Sequence, residues 1–219
     1  MSEKQIKRYT VGEEVFNSVT HGVGALLSVA GTIVLIVLSV MYGNAVGLGS
    51  SIVYGASLII LYTMSTLYHA ISSEKAKSVL RVFDHTSIFI LIAGSYTPYC
   101  LIALGGETKA LIVVIVVWAC AILGIVLNAI SLEKTEKLGL VLYVAMGWAI
   151  IVIFKDVLAA LPTMAFWLLL LGGVCYTGGI VFYKMKNTKY MHSIWHLFVL
   201  GGSVLHYISI VMYVLPMTY

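Results

Sequence analysis

Seven apolar stretches, separated by short polar connections, constrain the fold of this chain more than any other feature of its sequence. Each stretch approaches or exceeds the ~20 residues that a helix needs to cross ~30 Å of hydrocarbon. With 61% hydrophobic and only 10% charged residues, the 219-residue chain cannot cover a soluble domain with polar surface. The sequence therefore predicts an integral membrane protein.

The predicted spans are, in chain order, 15–41, 46–70, 83–104, 110–130, 138–154, 164–183 and 191–214. Because unpaired backbone groups are costly in lipid, continuous apolar stretches of this length form helices. The alternating pattern of a membrane barrel is absent from the sequence. We therefore expect an all-α, polytopic membrane protein, a seven-transmembrane helix bundle that forms a single domain over residues 1–219.

The basic residues predict the orientation of the bundle. Lys109 and Lys155 fall on one side of the membrane, and the other eleven of the 13 lysines and arginines fall on the side of the N-terminus. These eleven are Lys4, Lys7, Arg8, Lys75, Lys77, Arg81, Lys134, Lys137, Lys184, Lys186 and Lys189. The positive-inside rule then predicts a multi-pass protein of the cell membrane, with a cytoplasmic N-terminus and the C-terminus outside. The cations are expected to meet membrane lipids rather than nucleic acid.

Ionisable side chains within the spans are the candidates for function, because charge in hydrocarbon is costly unless it faces a protein interior or a cavity. The motif "STLYH" places Ser65 and His69 four residues apart, near the end of the second span. Asp84 starts the third span, and "MHSIWH" places His192 and His196 four residues apart at the start of the seventh. At 1.5 Å per residue, all of them lie roughly one or two turns inside the same membrane face.

This set of residues fits a zinc site. His192 and His196 share one helix face, and His69 from another helix would complete three ligands, leaving the fourth tetrahedral position for water. Asp84 could orient or deprotonate that water, and Ser65 could donate a hydrogen bond to the water or to a polarised carbonyl. Simpler roles also exist, since the histidines could form interfacial hydrogen bonds, Asp84 could cap the third helix and Ser65 could bond back to its own helix.

Three other histidines fall outside this pattern. His85 adjoins Asp84, points about 100° away round the helix and is expected to miss the site. His21 opens the first span without a partner in register, so we expect it to bond a headgroup or a neighbouring helix. His206 lies about 15 Å beyond His196 and cannot share its metal. An interhelical hydrogen bond is favoured for His206 over a role in lining a substrate or proton path.

Four motifs together resemble the bacterial haemolysin III proteins of the progestin and adipoQ receptor family, over essentially the whole chain. They are "EEVFNSVTHGVGALLS", "STLYH", "RVFDHTSIFILIAGSYTP" and "MHSIWHLFVLGGSVLHY". That family is grouped with alkaline ceramidases in a proposed superfamily of membrane hydrolases, which share Ser-x3-His, a later Asp, and His-x3-His. The resemblance implies that His69, His192 and His196 bind zinc, that Asp84 holds the zinc-bound water, and that Ser65 lies in the same polar shell.

Three functions stay open on the sequence. The first is a ceramidase-like, zinc-dependent hydrolase of a lipid amide or ester, which would act in membrane lipid homeostasis. The second is a pore-forming or lytic haemolysin, for which the sequence offers no amphipathic toxin-like segment. The third is a receptor or membrane-state sensor with structural zinc, although the short connections leave little surface for a protein ligand.

Overall fold

The computed structural model describes residues 9–219, which form helices joined by short turns and contain no β-strand. The helices are α1 (Val11–Tyr42), α2 (Ala45–Ala70), α3 (Glu74–Pro98), α4 (Thr108–Gly147), α5 (Phe154–Ala160), α6 (Thr163–Lys184) and α7 (Met191–Ser209). The prediction of an all-α fold is therefore confirmed for the described part of the chain. The first predicted basic cluster, Lys4, Lys7 and Arg8, lies outside the described residues.

Six helical stretches of the described residues are long and apolar enough to cross a membrane. Five of them coincide with predicted spans, although the third begins at Glu74, before its predicted start at residue 83. The predicted fourth and fifth spans both fall within one stretch, Thr108–Ala160. The chain is thus a multi-pass membrane protein, but the predicted count of seven spans is not confirmed by the lengths of these stretches.

The difference in count arises at the polar segment 131–137, which the sequence suggested as a connection between two spans. Leucine, glutamate and lysine are good helix formers, so helical structure resumes within this segment instead of giving way to a loop. Ser131 alone departs from helical geometry, with φ −163° and ψ 89°. The long helix α4 is therefore broken at Ser131 into two helical segments.

Helix α1 buries a face of polar and small residues, whereas a helix at the surface of a soluble protein buries its apolar face. Its buried residues are Glu13, Asn17, His21, Gly24, Ser28, Leu35 and Ser39. Most of these follow one another at steps of three or four residues, which keeps them on one face of the helix. Lipid solvates apolar side chains as well as a protein interior does, so helix contacts in membranes select small and polar residues. The buried face of α1 carries Glu13, Asn17 and His21 into the bundle near its N-terminal end.

Helices α3 and α7 both continue beyond their α-helical part. Pro98 has no N–H to donate to the carbonyl of residue 94, and directly after it the chain forms one π-helical turn, Tyr99–Ala103. After Ser209, α7 likewise continues as a π-helical turn, Ile210–Val214. The two π-helical turns pack against each other.

Candidate metal centre

Three histidines from α2 and α7 converge in the bundle. His69, His192 and His196 each offer one ring nitrogen, and these atoms all lie within 4.8 Å of one another. The Nε2 atoms of His192 and His196 are 3.2 Å apart. In a tetrahedral site with Zn–N bonds of about 2.0–2.1 Å, two ligand nitrogens lie about 3.3 Å apart. The cluster could therefore hold a metal ion, as the sequence predicted for these three residues.

A carboxylate orients the first of these histidines. His69 Nδ1 lies 2.6 Å from an oxygen of Glu14, whose other oxygen is 2.6 Å from the Lys77 ammonium. His69 Nε2 is buried and has no hydrogen-bond partner among the described residues. A carboxylate that accepts from one ring nitrogen sets the tautomer and leaves the other nitrogen as a ligand. The buried, unpaired Nε2 of His69 is therefore an observation that fits a metal.

Helix α1 contributes residues that the sequence reasoning missed. The ring of His21 lies parallel to that of His196, with centroids 3.6 Å apart and planes inclined by 12°. Asn17, which is also buried, accepts a 2.6 Å hydrogen bond from Ser193 at the start of α7. His21 thus contacts a neighbouring helix, and a headgroup is excluded as its partner because the side chain is buried. The signal in the sequence is the spacing of Glu14, Asn17 and His21, which places all three on one face of α1.

Aromatic rings enclose the more exposed histidine of the cluster. Tyr9 stacks on His192 with centroids 4.9 Å apart, and Trp195 lies 5.0 Å from the same ring. Tyr183 of α6 approaches His192 at 6.2 Å. These rings limit the positions that His192 can adopt, so its Nε2 remains directed toward His196.

The two predicted catalytic residues are both buried, and for each the simpler role is wrong. Asp84 lies ten residues after Glu74, and Ser73 occupies the N-cap position of α3, so Asp84 does not cap this helix. Ser65 Oγ has no hydrogen-bond partner in the described part of the chain, so Ser65 does not bond back to α2. The Asp84 side chain lines the same cavity as His192. Neither residue belongs to the group of side chains that could hold a metal ion.

That cavity has a volume of about 390 Å³, within the range of about 300–1,000 Å³ typical of small-molecule sites. Most of the residues that line it are apolar or aromatic. His192, a member of the histidine cluster, lines this cavity together with Asp84 and with His21, whose ring stacks on that of His196. The arrangement places a candidate metal centre at the end of an apolar cavity inside a membrane protein.

The two remaining histidines also line this cavity. His85 donates a hydrogen bond from Nδ1 to the Arg81 carbonyl, 2.8 Å away, and lies outside the group that could hold a metal ion. His85 is thus not among the residues that could hold the metal, as expected, although its Nδ1 also lies 3.6 Å from an Asp84 oxygen. His206 Nε2 donates to the Leu169 carbonyl of α6 at 3.1 Å, which confirms the expected interhelical hydrogen bond.

Comparison with known proteins matches residues 9–207 to the family described as haemolysin-III related. This chain belongs to the haemolysin III family. "Hemolysin-3 homolog" of Bacillus subtilis (strain 168) is 39% identical to this family member over 205 residues, which cover 94% of this chain and 96% of the relative. "Hemolysin-3" of Bacillus cereus is also 39% identical, over 217 residues and 99% of each chain.

The likeness extends beyond bacterial haemolysin III proteins. "Monocyte to macrophage differentiation factor" of Homo sapiens is 30% identical over 166 residues, which cover 72% of this chain and 67% of the human protein. The human protein belongs to the progestin and adipoQ receptor family. The family resemblance carried by the sequence motifs is thus confirmed for this haemolysin III protein.

Proposed function

We propose that this haemolysin III family protein is a zinc-dependent hydrolase of a lipid amide or ester, and that it acts in membrane lipid homeostasis. The observation that carries the proposal is the convergence of His69, His192 and His196 at one end of an apolar cavity. Three histidine ligands with one open position are typical of catalytic zinc. An apolar cavity within the membrane suits a lipid chain, so membrane lipids are the proposed substrates and partners.

Three residues besides the histidines have a role in the proposed reaction. Zinc bound there would supply a Lewis acid that polarises the lipid carbonyl and lowers the pKa of a bound water to about 7. Asp84 holds the attacking water and accepts its proton, because it is buried and is the carboxylate among the described residues that line the cavity. Ser65 donates a hydrogen bond to the carbonyl oxygen, and Glu14 keeps His69 in its ligand orientation.

The proposal includes a bundle of seven spans in the cell membrane, with the chain reversing at Ser131. Two glycines on opposite sides of Ser131 support a reversal. A Cβ atom at Gly124 would lie 2.3 Å from the Cζ atom of Phe89, and one at Gly139 would lie 3.9 Å from the same atom. Fifteen residues of straight helix span about 22 Å, so both glycines could not approach one ring without a turn between them.

Reporter fusions test this topology. We expect a reporter inserted within residues 131–137 to lie in the cytoplasm and a reporter at the C-terminus to lie outside, because eleven basic residues then face inward. The measurement is the activity of paired reporters that function on only one side of the membrane. A cytoplasmic C-terminus would contradict the count of seven spans.

Purified wild-type protein in lipid vesicles provides the test of hydrolysis. We expect zinc-dependent release of fatty acid from membrane lipid, lost on treatment with a chelator and restored by zinc, with entrapped dye retained in the vesicles. Mass spectrometry of the lipid products and dye fluorescence measure the two outcomes together. Dye release without a lipid product would favour the lytic function named in "Hemolysin-3" of the Bacillus relative. Zinc binding with neither outcome would favour a sensor.

A further inference from the structure

The cavity beside the histidine cluster extends along two helices. On the side of α3 it is lined by Asp84, Ile88, Leu91, Ser95 and, after the helix, Tyr99; on α7 it is lined by His192, Trp195, Val199 and His206. Both series advance in steps of three, four or seven residues, so each lies along one helix face. Tyr99 and His206 meet at the far end, where their ring centroids are 6.2 Å apart. His206 is ten residues, or about 15 Å, beyond His196 along α7.

The far end of the cavity contains an unpaired hydrogen-bond acceptor. His206 is only 7% exposed, and its Nε2 lies 3.1 Å from the Leu169 carbonyl. Because a carbonyl only accepts, Nε2 carries the ring hydrogen and Nδ1 is left as an acceptor. No described residue donates a hydrogen bond to this buried Nδ1. A buried polar atom without a partner is unfavourable, so a donor from a bound molecule would stabilise this end of the cavity.

A hydroxyl network beside His206 contains an unused donor. Tyr62 donates to Ser203 Oγ at 2.7 Å, and the hydroxyls of Ser203 and Tyr176 are 2.8 Å apart. Three hydroxyls carry three protons, and these two bonds use two of them. Tyr176 lines the cavity, and its ring centroid is 5.4 Å from that of His206. The far end of the cavity therefore combines the His206 acceptor with this remaining donor and with the Tyr99 hydroxyl, which is also buried without a partner among the described residues.

Two glycines allow α6 and α7 to bring these groups together. A Cβ atom at Gly172 would lie 2.2 Å from the His206 ring, and one at Gly202 would lie 2.9 Å from the Tyr176 ring. Either added carbon would collide with a ring that lines the cavity. The His206 and Tyr176 side chains are thus held at this depth by the close approach of the two helices.

We propose that the far end of the cavity is a second binding subsite, which takes a hydroxyl group on the hydrocarbon chain of a lipid. A hydroxyl both donates and accepts, so it can pair with His206 Nδ1 and with the hydroxyl network at once. A methyl end would leave both groups unpaired, and a carbonyl would pair only with the donor. With C–C bonds of about 1.5 Å, an extended chain of about twelve carbons spans the 15 Å between the two sites.

The position of the other end of this lipid rests on the proposed function, which places its carbonyl head at His69, His192 and His196. The hydroxyl subsite itself depends only on the geometry around His206. A chain with polar groups at both ends would therefore be held at the metal centre and at the hydroxyl subsite, with its methylene groups along the apolar middle of the cavity.

Competition binding with two probes tests the subsite. Dodecanoate and ω-hydroxydodecanoate each displace a fluorescent fatty acid from purified, zinc-loaded protein, and the ratio of their affinities is the readout. We expect the affinity for the hydroxylated probe, divided by the affinity for dodecanoate, to be about tenfold higher in wild type than in His206→Phe. The phenylalanine keeps a ring of similar size and removes both nitrogens. Comparing ratios between proteins cancels the different partitioning of the two probes into detergent.

Two further variants keep the test valid if His206→Phe does not fold. Tyr176→Phe keeps the ring and removes one hydroxyl of the network, so it should also reduce the preference for the hydroxylated probe. Tyr207→Phe is the matched control, because its hydroxyl donates to the Gly31 carbonyl of α1 and its side chain is not among those that line the cavity. An equal ratio in wild type, His206→Phe and Tyr176→Phe would overturn the subsite, as would absence of binding by either probe.

The same measurement separates the subsite from the proposed hydrolysis. His192→Ala with His196→Ala should weaken the binding of both probes and leave their ratio unchanged, since the carboxylate end loses its metal. A wild-type protein that prefers the hydroxylated probe but releases no fatty acid from lipid would retain the subsite and refute the hydrolase. If the double variant kept its fold but lost the preference for the hydroxylated probe, the metal centre and the hydroxyl subsite would not be independent sites.

Discussion

Wild-type protein is expected to contain about one zinc ion per chain, and protein that carries His192→Ala together with His196→Ala is expected to contain none. The double substitution removes two of three nitrogen ligands and leaves only His69, which cannot retain the ion against dilution during purification. Elemental mass spectrometry of the purified proteins, normalised to protein concentration, measures the difference.

His85→Ala is the matched control for the loss of zinc. His85 is a partly buried histidine on the same cavity, but it lies outside the cluster that could hold a metal. We expect this variant to contain as much zinc as the wild type. Normal zinc content in the His192→Ala, His196→Ala double variant would refute the metal centre, and loss of zinc from His85→Ala would show that the ligand set is wrong.

The variant Asp84→Asn should retain zinc and fold but lose lipid hydrolysis by roughly 10²–10⁴-fold, the contribution typical of a positioned general base. Asparagine has nearly the size of aspartate, and the hydrogen bond that Ser87 donates to the backbone carbonyl of residue 84 is unaffected. The substitution therefore removes the charge and the proton acceptor while leaving the local packing in place. Initial rates of fatty acid release from vesicles, together with zinc content, measure the effect.

Asp156→Asn is the matched control for the loss of this carboxylate. Asp156 is partly exposed on α5, where it lies 3.6 Å from Lys109, and it does not line the cavity. We expect Asp156→Asn to hydrolyse lipid at the wild-type rate. An Asp84→Asn variant as active as the wild type would exclude Asp84 as the base, even if zinc proved essential.

The histidine ligands could be predicted from the sequence because helical geometry governs both parts of the inference. Spacing of four residues places His192 and His196 on one face of α7, and their depth in the membrane matches that of His69 at the end of α2. The structure brings these three together with ligand atoms within 4.8 Å. Residue spacing and depth in the membrane are enough to predict such a cluster when the membrane sets the depth of every helix.

Other parts of the site could not be predicted in this way. The contact of His21 with His196 depends on how α1 packs against α7, and no local pattern specifies which helices are neighbours. The same holds for Glu14 and His69, which are 55 residues apart in the chain and 2.6 Å apart in the structure. The spacing of Glu14, Asn17 and His21 reveals a shared face, but not what that face contacts.

The sequence by itself determined that this is an all-helical membrane protein, because apolar stretches of this length must satisfy their backbone hydrogen bonds internally in lipid. The sequence motifs also indicated the haemolysin III family and the three candidate metal ligands. Only the tertiary structure decided that helix resumes immediately after Ser131, that α1 supplies Glu14 and His21 to the cluster, and that a cavity links the cluster to His206. The last two features depend on the packing of side chains between helices distant in the chain, which local periodicity does not encode.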